Sequence, residues 1–209
     1  MKATFANPPL LACTLSSAGN FAPPSQPFEA RTWSASMTQR PTTGAELGGW
    51  RIHFEKTTLP EVLSRAKVGA IQHAGDAGDS TYWLCYTLLG RVPARLWVTS
   101  HGEMGGPERA VTGITITALK SSQPVTECPA LPVHMQPAVL QANVWLGMDA
   151  RSVAKLGAPS HKNGDWVSYD FESKAPGACP GGFDVLNSLV LKSRRGRVEA
   201  IYANQVTSC

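Results

Sequence analysis

The sequence predicts an α+β protein built from two tandem repeats, each a short helical segment followed by a small antiparallel β-sheet. Three observations lead there: two segments that read as copies, strand-like alternation after each helical stretch, and cysteines shared evenly between the copies. In the first copy a helix-like stretch starting at Thr58 ends at Gly69, His73 follows four residues on, Gly78-Asp79 turns, and Trp83-Leu84-Cys85-Tyr86 opens a strand. In the second, a stretch starting at Gly147 ends at Gly157, His161 follows four residues on, Gly164-Asp165 turns, and Trp166-Val167-Ser168-Tyr169 opens the strand. The copies close on Cys128 and Cys209. The implied organisation is a leader and flexible tether over residues 1–49, a first repeat over 50–133 and a second over 134–209.

The helices are expected at Leu59–Ala66 and Ala150–Leu156, the second N-capped by Asp149 and stopped by Gly157 and Pro159. In Tyr82-Trp83-Leu84-Cys85-Tyr86-Thr87-Leu88, alternation puts Tyr82, Leu84, Tyr86 and Leu88 on one face and Trp83, Cys85 and Thr87 on the other. Residues 95–99 and 110–119 read as the next strands of the first copy, and 166–171, 184–192 and 197–203 as those of the second.

At 209 residues, 43% hydrophobic and 16% charged, the chain is long enough to bury a core and too apolar to be disordered throughout. The net charge of +4 is mild, and its densest cluster, Lys192, Arg194, Arg195 and Arg197 around Gly196, falls between two strands. That placement reads as a solvated hairpin turn, so nucleic acid is not the expected partner. Pro8-Pro9, Pro23-Pro24, Pro27 and Pro41 among small polar residues mark the tether. Within it, Leu10-Leu11-Ala12-Cys13 is similar to a bacterial lipobox, making Cys13 a lipidation candidate and the one foreseen route to a membrane.

Setting Cys13 aside, Cys85, Cys128, Cys179 and Cys209 stand two per repeat. The parsimonious pairing is Cys85 with Cys128 and Cys179 with Cys209; buried free thiols or a metal site are the alternatives, though no Cys-x-x-Cys occurs. Such loops would each stabilise the fold by about 3 to 4 kcal/mol in the chain-entropy model. Disulfides imply an oxidising compartment, periplasmic or outer-membrane-anchored in a bacterial envelope.

Catalytic patterns are weak. His53 with Glu55 and His101 with Glu103 lack the His-Glu-x-x-His spacing that sets two ligands on one helix face, and Asp76 with Asp79 falls short of a calcium loop. No metal or cofactor is expected. The repeated His73 and His161 leave a hydrolase with paired histidines as a distant alternative.

One stretch resembles a known motif. Gly147-Met148, Val153, Leu156-Gly157 and Pro159, followed by the Trp166 strand, are similar to Gly-Met-x-x-x-x-Val-x-x-x-Leu-Gly-x-Pro, with a shorter spacer before Leu-Gly. That pattern belongs to the β-lactamase inhibitory proteins and to the small lipoprotein of the outer-membrane β-barrel assembly machinery. The similarity is good over 145–209, weaker over 57–128 and absent before. It implies the tandem architecture and a non-catalytic binding habit.

The function expected is therefore a non-enzymatic exported module, inhibitor- or immunity-like, that binds another protein. The alternative is an envelope lipoprotein organising an outer-membrane complex. The expected binding surface is a concave aromatic sheet face bearing Trp83, Tyr86, Trp97, Trp166 and Tyr169, because rigid aromatics bury much area at little entropic cost. A glycine-rich loop presenting Glu103, Met104, Glu108 and Arg109 would complete it.

Overall fold

A computed structural model of the chain describes residues 21–27, 36–76, 80–121 and 123–209, with residues 103 and 104 described by backbone alone. The order of elements is β1 Gly44–Leu47, β2 Trp50–His53, α1 Leu59–Ala66, β3 Gln72–Ala74, β4 Thr81–Leu88, β5 Ala94–His101, β6 Gly113–Ala118, β7 Ala138–Leu140, β8 His161–Asn163, β9 Trp166–Ala175, β10 Phe183–Arg194 and β11 Arg197–Ser208. Eight of the strands form one antiparallel sheet in the order β3-β4-β5-β6-β11-β10-β9-β8. Each half of the chain thus runs strand by strand toward the middle. There β6 and β11 meet antiparallel, with Thr115 opposite Tyr202 and Ile116 opposite Ile201.

The expected balance of helix and sheet is corrected by this architecture: the fold is β-rich, 46% strand and 11% helical. One predicted helix forms as expected. Thr58 caps α1 by a capping box, its hydroxyl accepting from the Glu61 N–H while the Glu61 carboxylate accepts from the Thr58 N–H at 2.7 Å. Leu59, Val62 and Ala66 bury one stripe, and Lys67 in the left-handed region ends the helix. The second expected helix, Ala150–Leu156, is instead a 3-10 segment. Asp149 does cap it, accepting from the Arg151 N–H at 2.9 Å, but Val153 is its one fully buried residue. Without a longer apolar stripe, packing gives little to offset the weak helix preference of Ser152 and Val153.

The last residues of the expected 1–49 tether belong to the fold. Residues 44–47 form β1, central strand of a second sheet in the order β2-β1-β7, and Ala45 and Leu47 are 0% exposed. Gly48 and Gly49 join β1 to β2 with φ of 58° and 86°. A two-residue hairpin loop with both residues at positive φ matches the strand twist, and glycine reaches it without strain. A side chain at Gly48 would also strike the His134 carbonyl. Just upstream, the Asn187 side chain on β10 holds the backbone of buried Thr42, donating to its carbonyl at 2.8 Å and accepting from its N–H at 3.4 Å. The Cys13 assignment lies outside the described residues.

Alternation on β4 divides the interior as the sequence predicts. Leu84, Tyr86 and Leu88 enter the main core with α1, the small sheet and the inward residues of β5, β6, β10 and β11. Trp83 and Cys85 face the other way, forming a second cluster with Trp97 and Cys128. The Cys85–Cys128 and Cys179–Cys209 disulfides are both formed. The first fastens residues 128–131 alongside β4, where Thr87 donates its hydroxyl to the Cys128 carbonyl at 2.8 Å and its N–H to Pro129.

Candidate partner-binding face

The sheet face opposite the main core carries the aromatic and polar residues of interest. By register, Trp83 lies beside Thr99, Cys85 beside Trp97, Thr115 beside Tyr202, Asn204 beside Gly113 and Ser188, and Ser188 beside Asp170. Trp166 joins this face from β9, its ring 5.9 Å from that of Tyr202 and 5.3 Å from the Lys192 ammonium.

Residues 21–27 of the same chain lie across this face. The Trp97 indole donates to the Phe21 carbonyl at 2.9 Å, and the Arg95 guanidinium stands 5.1 Å over the Phe21 ring. Toward the second half, the Asn204 amide donates to the Gln26 side-chain oxygen at 2.8 Å and the Gln26 amide donates to Ser188 at 3.4 Å. Pro23, Pro24 and Pro27 suit an extended segment that satisfies its polar groups through the sheet's side chains. Further along, the Ser36 and Met37 N–H groups donate to the Asp170 carbonyl at 3.2 and 3.1 Å. Between this strap and the sheet a cavity of about 360 Å³ is walled by Trp83, Thr99, His101, Thr115 and Tyr202. The buried Trp83 indole N–H has no hydrogen-bond partner among the described residues.

Two titratable groups mark the face. His101 touches Thr81 through Nδ1 at 3.2 Å; although part of the ring reaches solvent, crowding at its inner edge holds its pKa below the usual histidine value. Buried Asp170 receives hydroxyl hydrogen bonds from Ser168 and Ser188, each 2.7 Å. Two short bonds of this kind replace the water that its carboxylate gives up on burial.

These positions revise the expected anchors. Trp83 is 1% exposed, Trp97 7%, Tyr86 0% and Tyr169 3%, so all four are interior. The cause is that both sheet faces are covered, one by α1 and the small sheet, the other by the strap over the Trp83 and Trp97 half. Trp166 remains half-buried. The loop is folded too: residues 102–105 form a 3-10 turn and Gly105 abuts Ser100 so closely that a side chain there would clash. Arg109 is not a projecting tip residue. It lies 4.4 Å over the Tyr82 ring, and its carbonyl accepts from the Leu59 N–H at the start of α1. Glu108 is exposed, and the Glu103 and Met104 side chains lie outside the described residues.

His73 and His161 do not converge. They sit on β3 and β8, the two outer strands of the sheet. Seven strand spacings separate them, about 30 Å. Sequence reading missed exposed Trp145 and the strap; residues 21–27 gave no period-2 or period-3.6 signal, and their only mark was proline. Comparison with protein-family models, with curated proteins and with solved structures finds no match to this chain.

Proposed function

We propose that this chain is a non-enzymatic, inhibitor- or immunity-like module that binds another protein through the sheet face bearing Trp166, Tyr202 and Asn204. One observation carries the reading: this face already grips an extended polypeptide, residues 21–27, through Trp97, Asn204 and Ser188. A surface that satisfies the backbone and side-chain polar groups of one extended segment has the chemistry to hold another. The similarity of residues 145–209 to the β-lactamase inhibitory proteins supports the same habit. Two disulfides fit an oxidising compartment, extracellular or periplasmic, and within it we assign the periplasm.

The test is capture from periplasmic extract by the full chain and by its Trp166→Ala variant. Trp166 is half-buried, so its removal should cost less folding stability than the roughly 3 to 5 kcal/mol of a core tryptophan. Loss of a captured protein with the melting transition largely kept supports the face; equal capture by both proteins removes it. The lipoprotein reading rests on Leu10-Leu11-Ala12-Cys13. An acyl mass on Cys13 in membrane-extracted protein is its test.

A further inference from the structure

At one end of the sheet, away from the strap, residues of both halves surround a groove of about 1230 Å³. Its apolar wall is formed by Leu88, Val92, Met148 and Val198, and Trp145, 46% exposed, lines it. Leu89, another exposed large apolar residue, lies between the lining residues Leu88 and Gly90. Also lining the groove are Arg91 from the β4–β5 loop, Arg194 at the end of β10, Arg195 in the turn and Arg197 at the start of β11.

The groove carries more basic than acidic side chains, Arg91, Arg194, Arg195 and Arg197 against Asp149 and Glu199. Its acids are engaged, Asp149 with Arg151 at 2.8 Å and Glu199 with Lys192 at 3.0 Å. Arg197 donates to the Gly147 carbonyl at 3.2 Å. Among the described residues, the side chains of Arg91, Arg194 and Arg195 make no hydrogen bond or ion pair. The walls are also fixed. Gly147 donates to the Val198 carbonyl at 2.8 Å, Val198 to Met148 at 3.0 Å, and Ala150 to Gly196 at 2.9 Å. A groove held by backbone hydrogen bonds needs little ordering on binding.

We propose that this groove docks an acidic segment of a partner protein, one carrying carboxylates on either side of a large apolar side chain. The carboxylates would meet the guanidinium groups of Arg91, Arg194 and Arg195, which suit them geometrically. The apolar side chain would enter beside Trp145 against Leu88, Val92 and Met148. Nucleic acid fits less well: one tryptophan gives no succession of stacking platforms, and the basic groups form a cluster instead of a stripe. An anionic lipid surface fits less well too, because the apolar residues line a concavity.

The inference is independent of the sheet face proposed above, since the residues lining the groove share none with those lining the cavity under the strap. The full chain is titrated with a short labelled peptide of alternating Asp and Leu with a central Phe, read by anisotropy and by the part of the tryptophan fluorescence change that Trp145→Ala removes. The same peptide with Lys replacing Asp, single-stranded oligonucleotide, and vesicles containing phosphatidylglycerol are the comparisons. Saturable binding of the acidic peptide alone is expected, weakened about tenfold or more by combined Arg194→Glu and Arg195→Glu and weakened by Trp145→Ala. These positions are exposed, and circular dichroism checks that the variants fold. No saturable binding, binding unchanged in the charge-reversed variant, or tighter binding of oligonucleotide or vesicles overturns the proposal. Capture through the Trp166 face should be the same in the groove variants, so the two proposals fail separately.

Discussion

Trp97 donates its indole N–H to the carbonyl of Phe21, 76 positions away in sequence, and this bond fastens the start of the strap to the sheet at 2.9 Å. The same indole packs against Trp83 and the Cys85–Cys128 bridge, so the anchor stands on a covalently fixed floor. Trp97→Phe removes the donor together with part of the packed indole. It should cost more than the roughly 0.5 to 1.5 kcal/mol of the hydrogen bond alone in denaturant unfolding, and amide exchange should rise over residues 21–27 before it rises in β5. Unchanged exchange there would show that the bond does not hold the strap.

Deleting residues 1–49 removes β1 with the buried side chains of Ala45 and Leu47, and strands β2 and β7 lose their shared neighbour. Loss of Leu47 alone is a core deletion worth about 2 to 5 kcal/mol. The truncated protein should melt many degrees lower than the full chain in a thermal scan. A near-unchanged midpoint would mean that the small sheet adds little to the fold.

The two disulfides should differ in resistance to reductant. Cys85 and Cys128 are buried, whereas Cys209 is exposed at the end of the chain. Under graded dithiothreitol in native buffer, Cys179 and Cys209 should be alkylated first, followed by mass mapping. Paired serine substitution of Cys85 and Cys128 should lower stability by about 3 to 4 kcal/mol, the loop spanning 43 residues.

His101 gives the fold an acid-sensitive point. Its folded pKa is lowered by desolvation, so its contribution is fully present above the unfolded value of 6.5 and is lost as pH falls from there through the folded value. The melting midpoint should therefore drop between pH 7 and pH 5 more in the parent than in His101→Gln. Proton NMR should show the His101 ring titrating below an exposed histidine. An ordinary titration curve would remove this group as the cause.

What was legible in the sequence is what local chemistry writes. The helix-like stretch over Leu59–Ala66, the alternation from Tyr82 through Leu88 and the even division of four cysteines are all local, and from these α1, β4 and both bridges followed. What was illegible depends on distant partners. β1 has 4 residues and β7 has 3, too short for a period to show, and each is stabilised by pairing with the other across the chain. The Ala150–Leu156 segment carries a helix-like pattern, but it buries only Val153, and its start is tied to distant Arg197 by a bridge at Asp149 that no local signal announces. The aromatic anchors were misjudged for a related reason. Alternation tells which face a ring is on, while exposure depends on what the rest of the chain lays over that face.

The meeting of β6 and β11 at the middle of the large sheet has a consequence at its rims. Because each half spends its longer strands inward, the borders of the large sheet fall to its two shortest strands, Gln72–Ala74 and His161–Asn163, each 3 residues long. Strands so brief, bearing Gln72, His73, Lys162 and Asn163, make poor templates for another chain. The two histidines that repeat in the sequence thus stand as polar end-markers of the large sheet, at borders that offer another chain little to pair with.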